Sequence, residues 1–284
     1  MMSRPAPVPR NRLLAALPEP EAQRVDAMLR WRPLRRGEVV ARRGTTVDEL
    51  LFVDAGIITL GLADPARSGD RPRPIAMAVI GAHQGVLGAH AVLGADLYLH
   101  DAVVDIDGEA RALPWNEAGR AALRDCPTLA TRIRERVLVN LAASAQVAMC
   151  ALRHPALARY ACWLLAASDA TGSDELRVTQ SIVAERLGVR RVTVVNIATQ
   201  LRNAGAIAYA RGWVRILDRE VLEQLACACA REGRTLATRL VPASGRFDIG
   251  LRGERPGVGA YSGAPSALDG RQEVAENHPV HQLL

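Results

Sequence analysis

Arg190, Arg191, Val192, Thr193 and Asn196 lie within seven residues of one another and could together read a base sequence. Arginine can donate two parallel hydrogen bonds to guanine, asparagine can do the same with adenine, and a valine methyl can touch the methyl of thymine. On a helix opening at Arg190 or Arg191, the first four occupy the first turn and Asn196 follows one turn later. One helix tip would then present them all. Thr179, Gln180 and Arg211 are placed for phosphate contacts, which orient a protein on a duplex without reading its sequence.

The elements needed to hold such a tip are legible around it. Thr179 is a natural N-cap for an apolar-periodic helix over residues 182–187, and Gly188 stops that helix. A second helix runs through Val194, Ile197, Ala198 and Leu201 and ends near Ala204 and Gly205. Two short helices joined by a tight glycine turn make a helix-turn-helix. Residues 206–210 and 213–217, flanking a turn at Arg211 and Gly212, predict two short strands and hence a wing. The charge agrees: residues 176–216 hold seven arginines against the single acid Glu185, a net +6 that equals the formal charge of the whole chain. A concentrated basic stretch is the footprint of a polyanionic partner, although a solvated face would look the same by charge alone.

The rest of the 284-residue chain divides by texture. Residues 1–18, with Pro5, Pro7, Pro9 and Pro18, read as a flexible lead-in, and a short helix is expected over 19–31. Short apolar runs at 39–41, 50–54, 57–62, 75–80, 102–106 and 110–113, separated by glycines, argue for a β-barrel or sandwich. Residues 64–74 read as an exposed loop. Residues 19–126 are expected to form this β-rich domain. Pro127 then opens a helix over 127–152, expected to be a dimer seam along Leu129, Ile133, Val137, Leu141, Ser144 and Ala148. Residues 153–232 form the winged domain, and 233–284 read as a mostly disordered tail.

The five cysteines, Cys126, Cys150, Cys162, Cys227 and Cys229, show no framework spacing and suit reduced thiols. Placed on a helix, Cys227 and Cys229 would point about 200° apart, so no metal site is expected. No apolar run reaches the length of a membrane helix and no secretory signal is visible, which points to the cytoplasm and to no membrane partner. Walker loops, nucleophile elbows and zinc-type His/Glu clusters are lacking, so neither catalysis nor a catalytic residue is expected.

The runs 178–180, Ala184, 187–194, Leu201, 205–207 and 216–218 resemble the Crp/Fnr regulators, as do Arg36, Gly37, Glu38, Gly44, 51–53 and Gly56 in the β segment. The resemblance spans residues 19–228. It implies an α+β chain with an N-terminal barrel of double-stranded jelly-roll type resembling a cyclic-nucleotide-binding domain, a long dimerisation helix and a C-terminal winged helix-turn-helix. It also implies a homodimer on palindromic double-stranded DNA, RNA polymerase as a partner, and an effector sensed in the barrel. The family's base-reading trio falls on Arg191, Val192 and Asn196, where the family commonly has arginine, glutamate and arginine; the operator is therefore expected to depart from the familiar half-site. The effector pocket would involve Gly85, Val86, Leu87 and Ser144. Valine stands at the position of the ribose-binding glutamate and the phosphate-binding arginine is missing, so cyclic AMP is not the expected effector and none is identified. No cysteine precedes Cys126, which disfavours the family's N-terminal iron–sulfur cluster, while His83, His90 or His100 could ligate a haem. No resident cofactor is expected. The competing class is a regulatory or scaffold module that binds a protein and keeps a non-reading helix-turn-helix.

Overall fold

The computed structural model describes residues 11–64, 72–83 and 85–241, all inside one contact unit over Met1–Gly245. Residues 246–284 form a second unit, so most of the expected tail lies outside the described residues, as does most of the 64–74 loop.

Six strands make the first sheet: β1 (Arg30–Leu34), β2 (Val39–Ala41), β3 (Glu49–Leu62), β4 (Ile75–Ile80), β5 (Val86–Leu87) and β6 (Asp101–Pro114). All pairings are antiparallel and the backbone order is β1-β6-β3-β4, with β2 on β6 and β5 on β3. The fold is α+β, as expected, but among the described residues the strands do not close, so the barrel is a loose one. Four of the apolar runs fuse into two long strands, β3 and β6, which pair along their whole length through register shifts between Val53 and Ile58. Bulges let a strand bend while keeping its pairing. Gly56 is at the bend with φ of +87°, and a Cβ there would sit 2.5 Å from the carbonyl oxygen of Ile106, so glycine is required.

Helices α1 (Arg12–Ala15) and α2 (Glu19–Asp26) precede the sheet, so two expectations are corrected. The lead-in is ordered from Asn11: its Nδ2 donates to the carbonyls of Val53 and Gly85, its backbone N–H donates to Asp54, and Leu13 and Leu14 are buried. Asp54, at the end of the 50–54 run, is buried beside Arg111 at 3.0 Å. The expected 19–31 helix stops at Asp26 because Arg30–Leu34 pairs with β6 as an edge strand, where Pro33 is tolerated.

Helices α3 (Glu117–Arg124), α4 (Pro127–Arg153) and α5 (Ala156–Thr171) follow. The Glu21 carboxylate accepts from the backbone N–H groups of Thr128 and Leu129, capping α4, whose own N-cap Cys126 makes no side-chain bond. The dimer stripe expected on α4 is corrected. Leu129 and Ile133 are fully buried in the sheet's core and Val137 packs against it. Four-residue steps advance 400° around a helix, so each drifts 40°, and between Leu129 and Leu141 the stripe has turned about 120° from core to surface. The exposed apolar face is Leu138, Leu141, Ala145, Ala148 and Leu152, with Leu141 68% and Leu152 86% exposed. Its alternating steps of three and four are the coiled-coil repeat.

By length and by a mean hydropathy of 1.2 over its best window, α4 is apolar enough to cross a membrane, contrary to the expectation that no such segment exists. Its apolar residues divide among the core, the exposed stripe and the wall of a cavity, where Val139 and Val147 lie, and Arg132, Arg134, Glu135 and Arg136 charge its first half.

Strand β7 (Glu175–Leu176), α6 (Gln180–Leu187), α7 (Arg191–Asn203), β8 (Ile207–Ala210), β9 (Trp213–Ile216) and α8 (Arg219–Leu225) build the second half, with sheet order β7-β9-β8. Helix α9 (Cys229–Leu240) corrects the expected tail, which is helical from Gly233 through Leu240.

The two halves are joined by a buried ion pair. Arg186 on α6 is bidentate to Asp105 on β6, Nη2 to Oδ1 at 2.6 Å and Nε to Oδ2 at 2.9 Å. Thr59 donates to Asp105 at 2.6 Å and the Pro74 carbonyl accepts from Arg186 at 3.0 Å. Removing one member of such a pair strands the other charge and costs about 3–5 kcal/mol, whereas replacing both with apolar groups is far milder. Arg186→Met should therefore lower unfolding stability by about that amount in urea titration, and Arg186→Met with Asp105→Leu should recover most of it. A double variant as unstable as the single would refute this account.

Glu135 is buried and neither carboxylate oxygen has a hydrogen-bond partner among the described residues; burial pushes its pKa above the ordinary value. The folded chain thus holds this proton more tightly than the unfolded one, and the stabilisation present at low pH is lost as pH rises through the folded value. Glu135→Gln should raise the melting temperature near neutral pH, with the gain vanishing below about pH 4.

Candidate nucleic-acid interface

Thr179 caps α6 as expected, its Oγ1 accepting from the Ile182 N–H at 3.3 Å. Gly188 ends the helix with φ of +65°, and a Cβ there would press on Ile75 Cδ1 at 3.1 Å. Glycine therefore makes the turn and lets it lie against β4. The Arg159 guanidinium on α5 also donates to the carbonyl of Leu187. Val183, Ala184 and Leu187 on α6 and Val194, Ile197, Ala198 and Leu201 on α7 bury the apolar faces of both helices in one core.

That core leaves the outer face of α7 in solvent. Arg190, Arg191, Val192 and Asn196 are exposed and Thr193 is half-buried beneath them, so the structure places all five at or beside the N-terminal tip of α7. Val192 is 61% exposed, which for a valine means methyl groups offered to something outside the chain. None of the side chains of Arg190, Arg191 and Asn196 is hydrogen-bonded or ion-paired among the described residues. Val195 and Thr199, one turn further along the same face, are exposed too and went unnoticed in the sequence; the three- and four-residue spacing from Val192 was the available signal. Thr179 and Gln180 lie half-buried at the start of α6, and Arg211 is exposed at the wing turn between β8 and β9, where Gly212 takes φ of +88°.

The basic footprint is smaller than the sequence count. Arg186 is buried in its pair with Asp105, and Arg215 is held by Glu175 at 2.7 Å while lying over the Trp213 ring at 5.5 Å. Arg177, Arg190, Arg191, Arg202 and Arg211 are the exposed remainder of the seven.

The residues expected to line an effector pocket lie as follows. Val86 and Leu87 are buried and paired with Phe52 and Leu51, and Ser144 donates to the Asn140 carbonyl of its own helix. A cavity of about 600 Å³ lies elsewhere, between β4, α4, α5 and α9, with Met77, Arg136, Asn140 and Trp163 in its wall; Gly85, Val86, Leu87 and Ser144 do not line it. Of the candidate haem ligands, His83 meets Arg12 at 2.7 Å and His90 meets the Leu97 carbonyl at 2.9 Å. Burial lowers the pKa of His83, His90 and His100 alike.

Residues 157–225 match the model of the Crp-like helix-turn-helix domain. No curated protein sequence gives a significant match. Among solved structures the chain is similar to FixK2 of Bradyrhizobium japonicum (16% identity, TM-score 0.57, covering 70% of this chain and 98% of that one). It is also similar to the c-di-GMP-responsive global regulator CLP of Xanthomonas campestris (16% identity, TM-score 0.56, covering 71% and 100%). A third is a CRP-family transcriptional regulator of Thermus thermophilus (22% identity, TM-score 0.54, covering 69% and 96%). At these identities the structural likeness speaks to the fold. The exposed tip of α7, the capped helix pair beneath it and the wing beside it are thus parts of a Crp-like helix-turn-helix domain, carried on a fold like that of solved Crp/Fnr-family proteins.

Proposed function

We propose that this chain is a sequence-specific DNA-binding transcription regulator that acts as a homodimer. The carrying observation is the tip of α7, where Arg190, Arg191, Val192 and Asn196 stand exposed on a helix whose opposite face is fully committed to the core. Arg191 and Asn196 would bond base edges in the major groove, Val192 would meet a thymine methyl, and Thr179, Gln180 and Arg211 would hold phosphates. A scaffold module would have no need of these exposed and uncommitted hydrogen-bonding side chains. Operating on DNA places the protein in the cytoplasm, with RNA polymerase as the partner through which binding becomes regulation.

The stripe Leu138, Leu141, Ala145, Ala148 and Leu152 supports the homodimer, because an exposed apolar heptad on a 27-residue helix is satisfied by a second copy of itself. Two reading helices related by a two-fold axis would require a palindromic operator with half-sites about one helical turn apart. Valine cannot accept a hydrogen bond from cytosine and asparagine prefers adenine, so the half-site should differ from the common family site at those positions. The reading requires no cyclic AMP and leaves the effector open.

Selection of bound sequences from a random duplex pool should recover such a palindrome, and Arg191→Ala should cost about 1–3 kcal/mol at one base position of each half-site. Enrichment of no sequence, with binding that merely fades as salt rises, would reduce the claim to electrostatic attraction. Separately, Leu141→Glu with Leu152→Glu should convert the dimer to a monomer in analytical ultracentrifugation while leaving the fold intact by circular dichroism. A variant that remains dimeric would move the seam off α4.

A further inference from the structure

Four of the five cysteines, which the sequence scatters over nearly 80 residues, converge in the fold. Cys150 lies in the last turn of α4 and His154 one turn on, at the cap of the same helix. Cys227 lies in the link after α8, and Cys229 opens α9. The ligand atoms of Cys150, His154, Cys227 and Cys229 all fall within 4.8 Å of one another. The separation expected on a helix does not apply to Cys227, because α9 begins only at Cys229.

The geometry points to a zinc site of the Cys3His type, with Cys150, His154, Cys227 and Cys229 as its ligands. The distances fit a single ion. With metal–sulfur bonds of about 2.3 Å, two sulfurs of a tetrahedron stand about 3.8 Å apart, and a sulfur and a nitrogen slightly less. Cys150 Sγ is 3.8 Å from Cys227 Sγ, and Cys229 Sγ is 3.8 Å from His154 Nδ1. Three thiolates and one imidazole fill four positions and leave none open, which is the pattern of a structural rather than a catalytic zinc.

The surroundings supply what such ligands need. Cys162 on α5 lies with its Sγ 3.2 Å from that of Cys227, so its thiol can donate to the bound thiolate. Gln146, one turn before Cys150, points Nε2 at its sulfur from 3.7 Å. Donors of this kind orient ligands and neutralise part of their charge. Zinc takes the thiolate form of each ligating cysteine, so binding would release thiol protons and weaken as pH falls.

The site is placed where it would matter mechanically. It joins the end of the long helix α4 to the start of α9, beside α5, which leads into the winged domain. Helix α9 also lies along α4, gives Leu236 and Ala237 to the cavity wall and pairs Arg234 with Glu223 on α8 at 3.1 Å, and among its described residues only Cys229 is buried. An ion there would fasten α9 over the open side of the 600 Å³ cavity, whose wall already includes Cys150, Cys162 and Cys229.

The test uses the full chain purified without chelator. Elemental analysis should find one zinc per chain, and exchange with cobalt(II) should give the intense visible bands of a tetrahedral thiolate site. Cys150→Ser, Cys229→Ser and His154→Ala should each lose most of the metal, whereas Cys126→Ala, in the core of the first sheet, should retain it. Circular dichroism identifies any variant that fails to fold. Independently, removing zinc from the wild-type chain should expose three additional thiols to a thiol reagent, and restoring zinc should protect them. A metal-free chain with five reactive thiols on unfolding, a Cys162–Cys227 disulfide in place of metal, or zinc retained equally by all variants would overturn the assignment.

Discussion

The bidentate pair between Arg186 and Asp105 sets the relation on which the rest of the structure depends. Both side chains are withdrawn from water, 3% and 1% exposed, and two charges so placed are tolerated only if each hydrogen-bonding position is matched. Thr59 and the Pro74 carbonyl supply the remaining matches, so the pair holds at one point the first helix of the helix-turn-helix, two long strands and the approach to β4. Apolar packing alone tolerates small slides between surfaces; a bidentate guanidinium does not. The close approach of Gly81 to the Ala170 backbone, which leaves no room for a Cβ, and the tight contact of Gly188 with Ile75 depend on this register.

With that register established, α4 becomes a helix with two tasks. Its first half gives Leu129 and Ile133 to the sheet core, and its second half turns an apolar heptad outward. The change of face is a consequence of helical pitch: residues four apart drift steadily around the axis, so a stripe that begins inside must emerge. The same helix carries Arg136, Asn140 and Gln146 into the cavity and Cys150 and His154 to the thiol cluster. It thus touches the sheet, carries the surface proposed for dimerisation and leads into α5.

The helix-turn-helix domain shows the opposite economy. Its core takes up the apolar faces of α6 and α7, and Arg186, Arg215 and Trp213 are drawn into contacts within the chain. What stays outside at the tip of α7 is Arg190, Arg191, Val192 and Asn196, with Val195 and Thr199 beyond them. In the proposed reading selectivity rests on few contacts, and a valine in place of a hydrogen-bond acceptor makes one of them a methyl contact.

Local rules made much of this legible in the sequence. Thr179 as a cap, Gly188 as a stop, the turn at Arg211 and Gly212, and the apolar period of α7 are determined by neighbours within a few residues, so the helix-turn-helix could be located from residue order alone. The strands were legible as apolar runs, but not their fusion into β3 and β6, which depends on pairing partners fifty residues apart. Charge counting overestimated the basic face, because whether Arg186 meets solvent or Asp105 is a matter of what lies across the interface. Likewise the stripe from Leu129 to Ala148 was read as one face although helical drift carries it from the core to the surface, and the cysteines looked unrelated because Cys150, Cys162, Cys227 and Cys229 meet only when α4, α5 and α9 pack. Sequence by itself determined the elements of the helix-turn-helix, whose signals are local; the tertiary structure alone decided which side chains were paired, buried or left facing outward, because those outcomes depend on distances between segments that residue order does not encode.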